Sequence, residues 1–140
     1  MSDLAKLRQD HAELVTIIRQ LATYVGQPSP PPHLALFDIR RQLNSTLIGH
    51  LKAEDWVLYP RLVESDDPQV AATAKAFSEE MGGLAAAFIS YNEKWSAPAI
   101  TADWPGYCVD TLEIIEALTG RITRENRELY PLLEAIDKAA

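Results

Sequence analysis

Cysteine is nearly absent from this sequence: Cys108 is the single one in 140 residues. That excludes an intramolecular disulfide and any cysteine-rich zinc site, and leaves Cys108 as a small core or near-surface hydrophobe. Basic residues are also scarce, with 13 Lys and Arg against 20 Asp and Glu and a formal charge of −7. A nucleic acid or an anionic membrane needs a basic face that neutralises phosphates, so neither is expected as a partner. No apolar stretch reaches transmembrane length, and the N-terminal MSDLAKLRQDHAEL lacks the basic segment and apolar run of a secretory leader. A soluble, cytoplasmic location is the default expectation. There is no Gly-rich phosphate loop, no Gly-x-Ser-x-Gly elbow and no CxxC. What the chain does have is 47% hydrophobic residues in the length of one ordinary domain. That suffices for one continuous core, so residues 1–140 are read as a single domain.

Those apolar residues recur at helical spacing in four long patterns. In the first, Leu4, Leu7, His11, Leu14, Ile18, Leu21 and Val25 keep a three-four spacing, with Ser2 or Asp3 placed to cap the start. QPSPPP ends it and reads as a stiff turn. A second pattern, from about His33 to Tyr59, turns Phe37, Leu43, Leu47, His50, Glu54 and Val57 inward and is disturbed at Pro60, which has no backbone N–H. The third, from about Pro68 to Trp95, carries Val70, Ala74, Phe77, Met81, Leu84, Phe88, Tyr91 and Trp95. The fourth, from about Trp104 to Lys138, carries Ile115, Leu118, Arg121, Ile122, Glu125, Leu129 and Leu132. Breaks fall near 26–33, 63–68 and 97–104, and nothing reads as a strand with a hairpin turn. The pattern predicts an all-α, antiparallel, up-down-up-down four-helix bundle.

Superimposed on this is a repeat. HLKAEDWVLYPRL at 50–62 aligns with RITRENRELYPLL at 121–133, sharing the glutamate, Leu-Tyr-Pro and the last leucine. Asp10-His11-Ala-Glu-Leu14 likewise falls on Glu80-Met81-Gly-Gly-Leu84. Two helical hairpins of one pattern each offer three inward positions: His11, His50 and Glu54 in the first, Met81, Arg121 and Glu125 in the second. All but Met81 are polar on a seam that should be apolar. An unpaired buried charge costs several kcal/mol, so such residues need a metal, a counter-charge or water. Matched seam positions predict that His11, His50, Glu54, Arg121 and Glu125 converge inside the bundle.

His11, the His50-x-x-x-Glu54 pair with its Leu-Tyr-Pro, and Glu125 with a second Leu-Tyr-Pro resemble the hemerythrin family, in its HHE cation-binding branch. The resemblance covers nearly the whole chain. It implies a four-helix bundle in which histidines and two bridging carboxylates hold a non-haem di-iron centre that binds oxygen, senses redox state or stores metal. Carried onto this sequence, the implied metal ligands are His11, His50, Glu54 and Glu125. The departure from the pattern is that Met81 and Arg121 stand where it has histidines.

That departure has chemical weight. A thioether is a poor ligand for iron in a nitrogen-oxygen site, and a guanidinium keeps its charge and has no lone pair to give. Two ions are therefore disfavoured. One iron or another divalent cation still finds a two-histidine, one-carboxylate set, and a metal-free centre is the leading expectation. In that form Arg121 ion-pairs with Glu54, Glu125 or both, and should hold both carboxylates ionised. Met81 reads as core filler, Tyr59 and Tyr130 as helix-end packing residues with hydroxyls near water or, in the second place, as donors to the carboxylates, and Lys52, Asp55 and the Glu-Arg pairs near 125–128 as a solvated face. Gly82-Gly83 reads as a kink, a close helix contact or a small channel. Together with Ala86 and Ala87, the pair could support a homodimer. No catalytic residues are assigned. Three classes stay open: a hemerythrin-like module without its di-iron centre that binds a protein or small ligand, an oxygen- or redox-responsive metal binder with a reduced site, and a one-metal oxidase or hydrolase.

Overall fold

The computed structural model describes residues 2–139, and these are helical almost throughout, with no strand among them. Helix α1 (Ser2–Val25) packs on α2 (His33–Lys52) and on α7 (Trp104–Arg124). Helix α2 continues through a π-helical segment, Ala53–Leu58, into α3 (Tyr59–Val63). After a turn come α4 (Pro68–Met81) and α5 (Leu84–Lys94), then the short α6 (Ala97–Ala102). Helix α7 runs through a second π-helical segment, Glu125–Leu129, into α8 (Tyr130–Ala139). The expected cap by Ser2 or Asp3 concerns side chains outside the described residues. No helix among the described residues is long and apolar enough to cross a membrane.

Where four helices were expected, the third is divided at Gly82-Gly83 into α4 and α5, and α6 is an additional helix in the expected break at 97–104. Ser96 before Pro98 is a start signal rather than a break: the Ser96 side chain accepts the Ala99 N–H, and proline is tolerated in a first turn, where its missing N–H has no intrahelical partner anyway. The same logic starts α4, where Asp67 accepts the Gln69 N–H ahead of Pro68, and α7, where Asp103 accepts the Gly106 N–H.

Both π-helical segments follow from Leu-Tyr-Pro. Pro60 and Pro131 have no N–H to give the carbonyls of Trp56 and Arg127, and their rings crowd those carbonyls, so the helix widens by one residue. Tyr59 N–H accordingly bonds Glu54 O, and Tyr130 N–H bonds Glu125 O, five residues back. The extra residue rotates the inward stripe. Val57, expected inside, is 59% exposed, while Tyr59 is 2% exposed. Phe37 is also a correction: it is 58% exposed, because Leu36 and Ile39 hold the inward phase that leads to Leu43 and Leu47.

The apolar interior forms two clusters. The larger joins the C-terminal half of α1 with α2, α5, α6 and α7, around Leu14, Leu21, Leu47, Phe88, Tyr107 and Leu118. The smaller joins the start of α1 with α3, α4 and α8, around Leu7, Val70, Phe77 and Leu129, with Met81 packed against it as expected of core filler. Cys108 is half-buried against the larger cluster, as expected of a small hydrophobe.

Gly82-Gly83 separates α4 from α5. A Cβ at Gly82 would sit 2.4 Å from the Ser78 carbonyl oxygen, so only glycine is tolerated there, whereas one at Gly83 would meet nothing.

Candidate metal centre and its ion-pair network

Asp10, His11, His50, Glu54, Arg121 and Glu125 are all buried, Glu54 and Glu125 completely. All five residues expected to converge do so. One donor atom each from His11, His50, Glu54 and Glu125 falls within a set whose members lie within 4.8 Å of one another. The two imidazoles face each other with ring centroids 4.7 Å apart.

Arg121 reaches into the same space. Its Nη2 donates to Glu54 Oε1 at 3.1 Å and its Nε to Glu125 Oε2 at 3.2 Å, so one guanidinium bridges both carboxylates. Nη2 also donates to Asp55 Oδ1 at 2.7 Å, and Nη1 to the Met81 carbonyl at 3.3 Å. The guanidinium lies 5.5 Å from the Tyr59 ring centroid. Asp55, expected on the solvated face, is instead a third anion for Arg121; the widened helix turns it partway inward.

For the tyrosines, the second of the two expected roles, donation to the carboxylates, is the one found. Tyr59 donates its hydroxyl to Glu125 Oε2 at 2.5 Å, and Tyr130 donates to Glu54 Oε2 at 2.8 Å. Each Leu-Tyr-Pro tyrosine thus serves the glutamate of the other repeat. His11 Nε2 lies 3.0 Å from Glu125 Oε1 and 3.1 Å from the Tyr130 hydroxyl, while its Nδ1 lies 2.8 Å from Asn126 Oδ1. His50 Nδ1 donates to Asp10 Oδ2 at 3.0 Å, and Lys6 holds the other Asp10 oxygen. Asp10, Asp55 and Asn126 are site residues that periodicity alone missed. The signal available was adjacency: each is the chain neighbour of a seam residue.

His50 Nε2 lies 3.1 Å from Glu54 Oε1 but is not aligned for a hydrogen bond and has no hydrogen-bond partner. With Nδ1–H committed to Asp10, a neutral His50 leaves its Nε2 lone pair 3.1 Å from a carboxylate oxygen. The repulsion is removed by a proton or by a cation between the two.

The carboxylates are unequal. Burial pushes the Glu54 pKa up, and the neighbouring Glu125 charge adds to it, against the opposing pull of His50 and Arg121. Burial also disfavours charge on Glu125, but the His11 hydrogen bond and then Arg121 outweigh it and bring its pKa down. Arg121 therefore does not lower both carboxyls, as the sequence led us to expect: Glu125 is brought down, whereas burial leaves Glu54 raised. His50 is raised: burial opposes its charged form, yet Glu54, and then Asp10, more than offset that.

Two imidazoles and two carboxylates stand together, with the His50 Nε2 unpartnered, so the donors could hold a cation. Arg121 donates to both carboxylates, and its guanidinium cannot itself ligate.

The class that fold and site define is a helical protein with a buried cluster of imidazoles and carboxylates that could hold a cation. The chain belongs to the hemerythrin family: the model for the hemerythrin HHE cation-binding domain matches residues 2–133. No curated protein and no solved structure shows significant similarity to it.

Proposed function

We propose that this chain is a hemerythrin-family module in which Arg121 has taken over the charge of a metal ion, so that the bundle serves for binding or sensing without a di-iron centre. The observation that carries this reading is the single guanidinium donating to both buried glutamates. Bridging carboxylates are tolerable in an apolar interior only when positive charge lies between them. A guanidinium supplies that charge permanently and in a planar fork, without lone pairs for chemistry at a metal. On this reading the four long helical stretches form an up-down-up-down bundle as a single cytoplasmic domain, and no residue is assigned a catalytic role.

A second reading is favoured by one observation, the unpartnered His50 Nε2 facing Glu54. It is a single divalent ion, iron being suited to the donors, held by His11, His50, Glu54 and Glu125. Such an ion would supply one cation to the carboxylates and a redox or oxygen-responsive centre. The chain's own part would be to orient the imidazoles through Asp10 and Asn126.

Elemental analysis of protein made in iron-supplemented cells separates the readings. Well under one iron per chain is expected, and one per chain would favour the second reading. Two irons per chain would sink the proposal. The paired change Met81→His with Arg121→His returns both imidazoles and removes the fixed charge, and is expected to raise iron content and produce visible absorption.

A further inference from the structure

Two cavities of about 580 Å³ each lie on the flanks of the polar centre. They occupy matched positions of the two repeats: Asp10, Gly49 and His50 line one, and Glu80, Gly120 and Arg121 line the other. A glycine inside a helix costs about 1 kcal/mol relative to alanine. Neither Gly49 nor Gly120 has a packing reason to be there, since an added Cβ would meet nothing within 4 Å, and neither has a positive φ. What the two glycines share is the open space in front of them.

The cavities differ in chemistry. Glu113 and Glu116 line the Gly120 cavity, Arg124 there is already tied to Glu80 and Glu128, and Arg121 is turned inward to the buried carboxylates. The Gly49 cavity also has a carboxylate, Glu13, and its Lys6 is paired with Asp10, but Arg61 has no ion-pair partner among the described residues. Leu7, Val57 and Leu58 make its wall apolar, and Ser45 and Thr46 add hydroxyls. A volume of this order suits a small organic molecule, and a lining that joins an apolar wall to charged and hydroxyl groups suits an amphipathic one.

We infer that the Gly49 cavity, between α1 and the α2–α3 helix, is a binding site for a small amphipathic carboxylate, its anionic end at Arg61 and its apolar body along Leu7, Val57 and Leu58. This goes beyond the reading of the centre and does not depend on whether Arg121 alone or also an ion neutralises the glutamates. Failure of one therefore leaves the other standing.

Hexanoate, hexan-1-ol and inorganic phosphate, titrated separately into the full chain and followed by amide chemical shifts, test it. Saturable binding of hexanoate is expected, with the largest shifts around Gly49, His50 and Arg61. Gly49→Leu, which fills the cavity, should abolish it, and Arg61→Gln, at an exposed position that does not threaten folding, should weaken it about tenfold or more, one charge-assisted contact being lost. Gly120→Leu, filling the twin cavity, should leave it unchanged. The inference is overturned if hexanoate shows no saturable binding, if hexan-1-ol or phosphate binds as tightly, if Arg61→Gln has no effect, or if Gly120→Leu is as damaging as Gly49→Leu.

Discussion

The two hairpins place different residues at equivalent points of one interior, and the difference shows how a site can change its chemistry while keeping its frame. In the first, His11 and His50 lie beside Glu54, and Asp10 is buried to orient His50. In the second, Met81 faces the smaller apolar cluster, Arg121 bridges the carboxylates, and Glu80, the counterpart of Asp10, is exposed and paired with Arg124. What both retain is the Leu-Tyr-Pro π turn, the glutamate it aims and the tyrosine it buries. The frame is set by backbone geometry that proline dictates. The other inward positions are single side chains, and on the proposed reading they can differ as long as positive charge faces the glutamates.

Removing that charge should break the comparison most severely. Arg121→Ala leaves Glu54, Glu125 and Asp55 without their cation and is expected to cost roughly 3–5 kcal/mol, as breaking a buried ion pair does. Denaturant unfolding measures it, and an unchanged midpoint would show that the guanidinium is not the charge that matters. The same loss of a cation from the first half, His50→Ala, should cost less, because Asp10 keeps Lys6 and Glu54 keeps Arg121.

Tyr59→Phe and Tyr130→Phe sharpen the comparison at intermediate size. Each leaves one oxygen of a buried carboxylate without its hydroxyl donor, for an expected cost of about 1–3 kcal/mol. Glu125 Oε2 still has Arg121 when Tyr59 is lost, whereas Glu54 Oε2 has no donor but Tyr130 among the described residues, so Tyr130→Phe should be the more damaging of the two. Equal melting temperatures would contradict that asymmetry.

The smallest effects concern the glycines. Gly49→Ala and Gly120→Ala should each stabilise by up to about 1 kcal/mol, since their Cβ atoms meet nothing and alanine is the better helix former. Gly82→Ala should instead destabilise, because its Cβ would strike the Ser78 carbonyl. Thermal unfolding of the three variants side by side checks the sign of each.

Much of this was legible in the sequence. Periodicity located the long helices, and the repeat brought His11, His50, Glu54, Arg121 and Glu125 together and pointed Arg121 at both glutamates. Other features were not. A proline signals a disturbed helix, but not that the disturbance adds a residue and continues, so Val57 was placed inside and the depth of Tyr59 was missed. Asp55 and Asn126 lie one position off the seam, where an ideal helix would turn them outward. Ser96-Ala-Pro resembled a stop because a helix start and a helix end share residues.

The crossed tyrosine bonds bear on how the chain unfolds. Neither hairpin contains all the donors its own carboxylate requires: Glu54 depends on a hydroxyl from beyond residue 125, and Glu125 on one from before residue 60. Separated at the 63–68 turn, each piece would hold a glutamate that lacks its hydroxyl donor. The two halves are thus interlocked, and loss of either removes the reason for the other to stay folded. Calorimetric and van't Hoff enthalpies should therefore agree, as they do for a single all-or-none transition.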